Sequence, residues 1–211
     1  MSRIATLLYL CVVVVAASCM SCKSAPSPRS VAADVESAMK RSDAHAMAGF
    51  VTNDELKAQG VTRQQVALFF ENELFKRWAL KGEPITEEDS IHTVFVNFKL
   101  QSKVGEPDQG ISFFAIPSDS GVDTPTYIRS VIWLNSSAAS GLKQLPYDPA
   151  NRFRNVAAYI KENATRFELT YGLKGLYYED ERKVVGWAEV QERYIKESTK
   201  IDERMKAAGA R

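Results

Sequence analysis

Beyond residue 22 the chain has no cysteine: Cys11, Cys19 and Cys22 are the only three, all near the start. The body therefore carries no thiol for a disulfide, a cysteine-ligated metal or a thiolate nucleophile. Excess charge is equally scarce, with 27 Lys and Arg against 26 Asp and Glu in 211 residues. Arg3 is the sole charge before Cys19, so the remainder is balanced and supplies no overall field for gathering phosphates. Nucleic acid is accordingly not expected as a partner. Only two histidines occur, His45 and His92. P-loop, Rossmann glycine, Gly-x-Ser-x-Gly and His-Glu-x-x-His patterns are all missing, which removes support for motor, dinucleotide, serine-hydrolase and zinc-protease chemistry. No cofactor or metal is expected. At 45% hydrophobic residues, the composition excludes disorder, collagen and fibrous coiled coil as the main state.

What is present begins with an address. Met1-Ser2-Arg3 precedes an uncharged run from Ile4 to Ala17 and then Ser18-Cys19, the order of a secretory signal. As a helix, that run covers only about 21 Å of a hydrocarbon layer roughly 30 Å thick, so residues 1–18 read as a signal peptide in preference to a retained transmembrane anchor. Ala16-Ala17-Ser18-Cys19 resembles the lipobox of bacterial lipoproteins, with Ala16 standing where leucine is most often found. The resemblance implies that Cys19 becomes the lipidated first residue of the mature chain, carrying diacylglycerol and an N-acyl chain such as palmitate. It places the protein in a bacterial cell envelope, facing the periplasm or the exterior. An ordinary cleaved signal releasing a soluble protein is the alternative. Residues 19–30, with two prolines and four serines, read as a lipid-anchored tether.

Apolar spacing predicts a first helix capped by Ser30 with Val31, Val35, Ala38 and Met39 on one face, and a second short helix capped by Asp43. Thr62-Arg63-Gln64-Gln65 fits a capping box that opens a longer helix carrying Val66, Phe69, Phe70, Leu74 and Trp78, with Gly82 and Pro84 stopping it. Residues 91–100, 111–116 and 127–134 are rich in aromatic and β-branched side chains and read as three strands, with turn residues in 106–110 and 118–121. Residues 135–151 read as a surface connection. Beyond it come a helix with Phe153, Val156, Ile160 and Phe167, a small hairpin over 176–185, and a last helix from Trp187 with Val190, Tyr194, Ile201 and Met205. The expected class is α+β: N-terminal helices on a curved antiparallel meander (31–149) and a mainly helical C-terminal extension (150–211) on the same core. The extension has 13 basic and 10 acidic residues and 19–149 has 13 and 16, a mild asymmetry fitting solvated helix faces.

Asp43-Ala44-His45-Ala46-Met47-Ala48-Gly49-Phe50-Val51 and Gly60-Val61-Thr62-Arg63-Gln64-Gln65 look like the second helix and the start of the third in small bacterial members of the nuclear-transport-factor-2-like superfamily. That resemblance covers about half the chain and implies a sheet curled around a pocket or a dimer surface. Its members include dehydratases, isomerases and noncatalytic modules, so it does not select a function.

Candidate chemistry is sparse. His45 stands beside Asp43, and His92 follows Glu87-Glu88-Asp89, a group of oxygen and nitrogen donors without recognised metal spacing. Arg129 alternates with Tyr127, Val131 and Trp133, so a strand would put all four on one face, where Arg129 clamps a carboxylate or lies solvated over Trp133; Asn97 and Lys99 pose the same question. Tyr171, Tyr177, Tyr178, Trp187 and Tyr194 supply either core packing or a protein-binding surface. Asn135-Ser136-Ser137 and Asn163-Ala164-Thr165 match glycosylation acceptors. The favoured expectation is a noncatalytic binding or assembly module, anchored to the membrane by lipid, with an envelope protein or small ligand as partner. The alternative is a pocket enzyme of dehydratase or isomerase type pairing His45 or His92 with a carboxylate.

Overall fold

The computed structural model describes residues 26–118, 121–124, 127–141 and 148–209. The expected signal segment, Cys19 and the tether up to residue 25 lie outside the described residues, as do Asp119 and Ser120 of the second expected turn and 142–147 of the expected connection.

Helix α1 (Pro28–Lys40) starts ahead of the expected Ser30 cap, because Ser27 and Ser30 cap one another's backbone amides and Pro28 sits where a missing N–H costs nothing. It buries Ala32, Val35, Ala38 and Met39. Short helices α2 (Ala44–Gly49) and α3 (Asn53–Gln59) follow, capped by Asp43 and Thr52. Helix α4 (Arg63–Phe70) opens with the Thr62/Gln65 capping box. It does not continue to Trp78 as the apolar stripe suggests. The chain passes through a π-helical turn, Glu71–Phe75, in which Glu73, Leu74 and Phe75 are all buried, and Trp78 begins strand β1 (Trp78–Leu80).

Strands β1 and β2 (Ile85–Glu88) both pair antiparallel with β3 (Val94–Ser102), Trp78 opposite Ser102 and Ile85 opposite Asn97. They form one interrupted edge, broken where Gly82 takes φ +80° just before Pro84. Strand β4 (Gln109–Ser118) lies on the other side of β3, and β5 (Gly121–Asp123) beyond it. Val94, Val96, Phe98 and Leu100 point into the core, leaving Phe95, Asn97, Lys99 and Gln101 on the outer face.

The expected third strand over 127–134 is a helix, α5 (Tyr127–Ala139). Its buried residues, Tyr127, Ile128, Val131, Ile132, Leu134, Asn135, Ser136 and Ala138, follow a helical repeat; the β-branched and aromatic content reflects burial, not a pleat. The first residues of the expected surface connection thus belong to the core. Helix α6 (Pro149–Tyr171) is capped by Asp148 and closed by Gly172 at φ +73°. The expected hairpin is present as β6 (Gly175–Tyr178) and β7 (Lys183–Gly186), and α7 (Trp187–Ala207) packs along α6.

The fold is α+β: α1 packs on β3 and β4, α5 on β4, and the C-terminal helices complete one apolar cluster that runs from Ala32 to Tyr194. Among the described residues no helix is long and apolar enough to cross a membrane.

The hairpin is held by a close backbone approach. A Cβ on Gly175 would lie 1.9 Å from the Val185 carbonyl oxygen, whereas one on Gly49 would meet nothing within 4 Å. Gly175→Ala is expected to lose about 2–3 kcal/mol in urea unfolding, and Gly49→Ala to gain about 0.5 kcal/mol by restricting the unfolded chain.

Candidate functional site

His45 projects from α2 into an open groove of about 360 Å³ that Thr62, Gln65, Leu68 and Glu71 also line. Among the described residues it makes no hydrogen bond to a carboxylate. His92 adopts φ +62°, and its Nδ1 lies 2.8 Å from Glu88 Oε1. Arg29 reaches the other oxygen of Glu88, with Nε at 2.7 Å and Nη2 at 2.6 Å. The His92 hydrogen bond, followed by the Arg29 one, holds the Glu88 carboxyl below the usual range. This triad lies on the surface, with the His92 side chain 78% exposed. Asp89 is spent on its own turn, accepting from the Ile91 and Thr93 amides at 2.9 Å each, and Glu87 faces Asn97. The acidic run is therefore divided among separate tasks. Among the described residues no three His, Cys, Asp or Glu side chains are placed to share a metal.

Arg129 is not on a strand, so Tyr127 and Val131 do not share its face. Helical geometry turns those two into the core and puts Arg129 beside Trp133, four residues on, toward the C-terminal elements. Arg129 Nη2 donates to the Tyr177 carbonyl at 2.9 Å, and its guanidinium sits 4.5 Å from the Tyr178 ring centroid; Arg193 stands 4.9 Å from the same ring. Trp133 donates to the Tyr194 hydroxyl at 3.1 Å and packs edge-on against Phe153 and Tyr194. Tyr171, Tyr177, Trp187 and Tyr194 are buried, so these aromatics serve the junction between sheet, hairpin and terminal helix. Asn97 and Lys99 lie on the outer face, Asn97 accepting from Ser112. Asn135 is 1% exposed, which removes the first glycosylation pattern from reach in the folded state.

Two buried acids went unnoticed in the sequence, since Glu55 and Glu73 sit in helical segments whose neighbours read as ordinary charged faces. Glu73, 2% exposed, accepts from Tyr171 Oη at 2.6 Å and from Arg166, while Asn135 donates to its backbone carbonyl at 3.0 Å and takes the Trp78 indole N–H at 2.8 Å. Burial, with Glu73 next, raises the Tyr171 hydroxyl well above the usual tyrosine value. This network is closed on itself.

Glu55 differs. It is 4% exposed, at the start of α3 under the β6–β7 hairpin, and its carboxyl makes no hydrogen bond among the described residues. Desolvation pushes it up to about 7; Arg129 pulls in the opposite direction and Glu179 adds to the rise. The Nε of Arg129 is itself buried without a hydrogen-bond partner. At the seam between α3 and the hairpin, desolvation thus favours the protonated carboxyl more than water does.

The fold and these sites define an α+β protein with an arginine-aromatic junction and two buried acids. Comparison of the chain with protein-family models, with curated proteins and with solved structures finds no match in any of the three.

Because the folded-state value of Glu55 is raised, its favourable contribution is complete below the unfolded carboxyl value and is lost as pH rises through about 7. Glu55→Gln is therefore expected to match the parent near pH 4 and to exceed it by about 3 kcal/mol at pH 8, read from urea midpoints across pH. A gain that does not grow with pH contradicts the assignment.

Proposed function

We propose that the protein is a cell-envelope lipoprotein, anchored to a bacterial membrane through Cys19, with an α+β body that acts as a noncatalytic binding or assembly module. The observation that carries this reading is Ala16-Ala17-Ser18-Cys19 at the end of an uncharged run that follows Arg3. Three acyl chains on one cysteine, two from the diacylglycerol and one on the amine, bury enough methylene groups, at about 0.8 kcal/mol each, for stable anchoring.

The geometry of the histidines favours binding over catalysis. The alternative of proton transfer by a histidine paired with a carboxylate calls for that pair to line an enclosed pocket. The His92 pair with Glu88 sits on the open surface, and His45 lines an open groove. The resemblance to nuclear-transport-factor-2-like domains rests on helices leading into a meander. Helix α5 stands where that reading placed a strand, so the proposed binding role is argued from this body's own surfaces.

Metabolic labelling with a palmitate analogue tests the anchor. The parent chain is expected to take up label and fractionate with membranes, and Cys19→Ala to lose both. Label retained by Cys19→Ala overturns the reading.

A further inference from the structure

We propose that the end of the sheet carrying Ile91 rests against the surface of the membrane in which the chain is anchored, so that the body has a defined membrane-facing tip. The proposal rests on the lipid anchor at Cys19.

The first argument is the length of chain between anchor and body. Seven residues lie between Cys19 and Ser27, where α1 is capped, and the eight residue steps span at most about 28 Å. The end of the body that bears Ser27 therefore stays close to the bilayer. Arg29, in the first turn of α1, is bonded to Glu88 at the far end of β2, which places the β2–β3 loop at that same end.

The second argument is what the loop presents. Asp89 accepts from the Ile91 and Thr93 amides, its own amide donates to the Thr93 carbonyl, and His92 takes the left-handed conformation. These constraints hold the tip in one shape, with Ile91 projecting at 71% exposure. Beside it, where β3 starts and β4 ends, Phe95 and Phe114 oppose one another on the outer sheet face with ring centroids 5.2 Å apart, both half-buried. A fixed apolar tip flanked by an aromatic pair suits the boundary between headgroups and acyl chains.

Charge selects the kind of surface. Arg29 and His92 occupy both oxygens of Glu88, and Asp89 is turned onto backbone amides, but Glu87 still stands across the strands from Phe95. That acidic edge fits a shallow contact with zwitterionic lipid and disfavours an anionic leaflet. Tethering makes a weak contact count, because the anchor supplies a high local concentration of bilayer.

Val104, 56% exposed in the β3–β4 turn, provides an internal reference, since the nine residues of β3 carry it about 30 Å from the Ile91 end. In a Cys22→Ser background, Ile91→Cys and Val104→Cys are labelled with a nitrobenzoxadiazole dye on the full, lipid-bearing chain. The proteins are reconstituted into phosphatidylcholine vesicles with and without lipid spin-labelled near the headgroup. Dye at 91 is expected to be quenched several-fold more than dye at 104, and the difference to shrink when phosphatidylglycerol is added. Vesicle flotation separates the two readings. A protein that floats with equal quenching at both positions overturns the membrane-facing tip alone, and one that fails to float overturns the anchor and the tip together.

Discussion

Glu73 enters the core on a turn of π-helix, with its side chain only 2% exposed to solvent. Its oxygens are met by Arg166 and Tyr171 from α6, and its peptide carbonyl by Asn135 from α5, which also holds Trp78 of β1. Two neighbouring elements, the π turn and β1, and two distant ones, α5 and α6, are thereby fixed against one point. The net gain from such an ion pair is small, because desolvation consumes most of the attraction, but removing one partner leaves an uncompensated charge at about 3–5 kcal/mol. Its effect is on register: a helix that must deliver Arg166 and Tyr171 to the same carboxyl cannot slide along the core as a purely apolar helix can.

Much of the remaining architecture follows from where that network leaves α6. Its apolar face, with Val156, Ile160 and Phe167, closes the core over α4, and its other side receives α7. Gly172 turns the chain into the β6–β7 hairpin, whose strands approach so closely at Gly175 that no side chain fits. The hairpin in turn covers Glu55 and receives Arg129, so the second buried acid is enclosed by elements that the first one positions. The two acids differ in kind. Glu73 is surrounded by donors, while Glu55 feels the charge of Arg129 but makes no hydrogen bond among the described residues, and desolvation dominates its proton affinity.

Legibility from sequence varied with how local the cause was. The Thr62/Gln65 capping box, the hairpin and the α6 and α7 stripes were readable, because each depends on residues a few positions apart, whereas the cap of α1 is Ser27 and not Ser30. The α5 segment was misread: Tyr127, Val131 and Trp133 alternate acceptably for a strand, and only the burial of Ile128, Ile132, Asn135 and Ala138 reveals the helical period. Trp78 was assigned to the α4 stripe because a π turn shifts the phase of a helix without any marker residue. The candidate sites divided similarly. Glu88 and His92 were recognisable as neighbours four residues apart, whereas Arg29 joins them from 59 positions away, and nothing near Glu55 or Glu73 in the chain announces burial.

The sequence by itself determined the α+β class, the Asp43 and Thr62 caps and the absence of thiols from the body, since these follow from composition and from spacing within a turn or two. It also supplied the lipobox-like segment on which the proposed anchor rests. Tertiary structure alone decided that Arg129 meets Tyr178, that the C-terminal aromatics are interior, that Glu55 loses its water and that Ile91 keeps its exposure. Desolvation is the reason: whether a carboxyl, an arginine or an isoleucine ends up buried, paired or exposed depends on what excludes water from it, and that is set by segments far away in the chain.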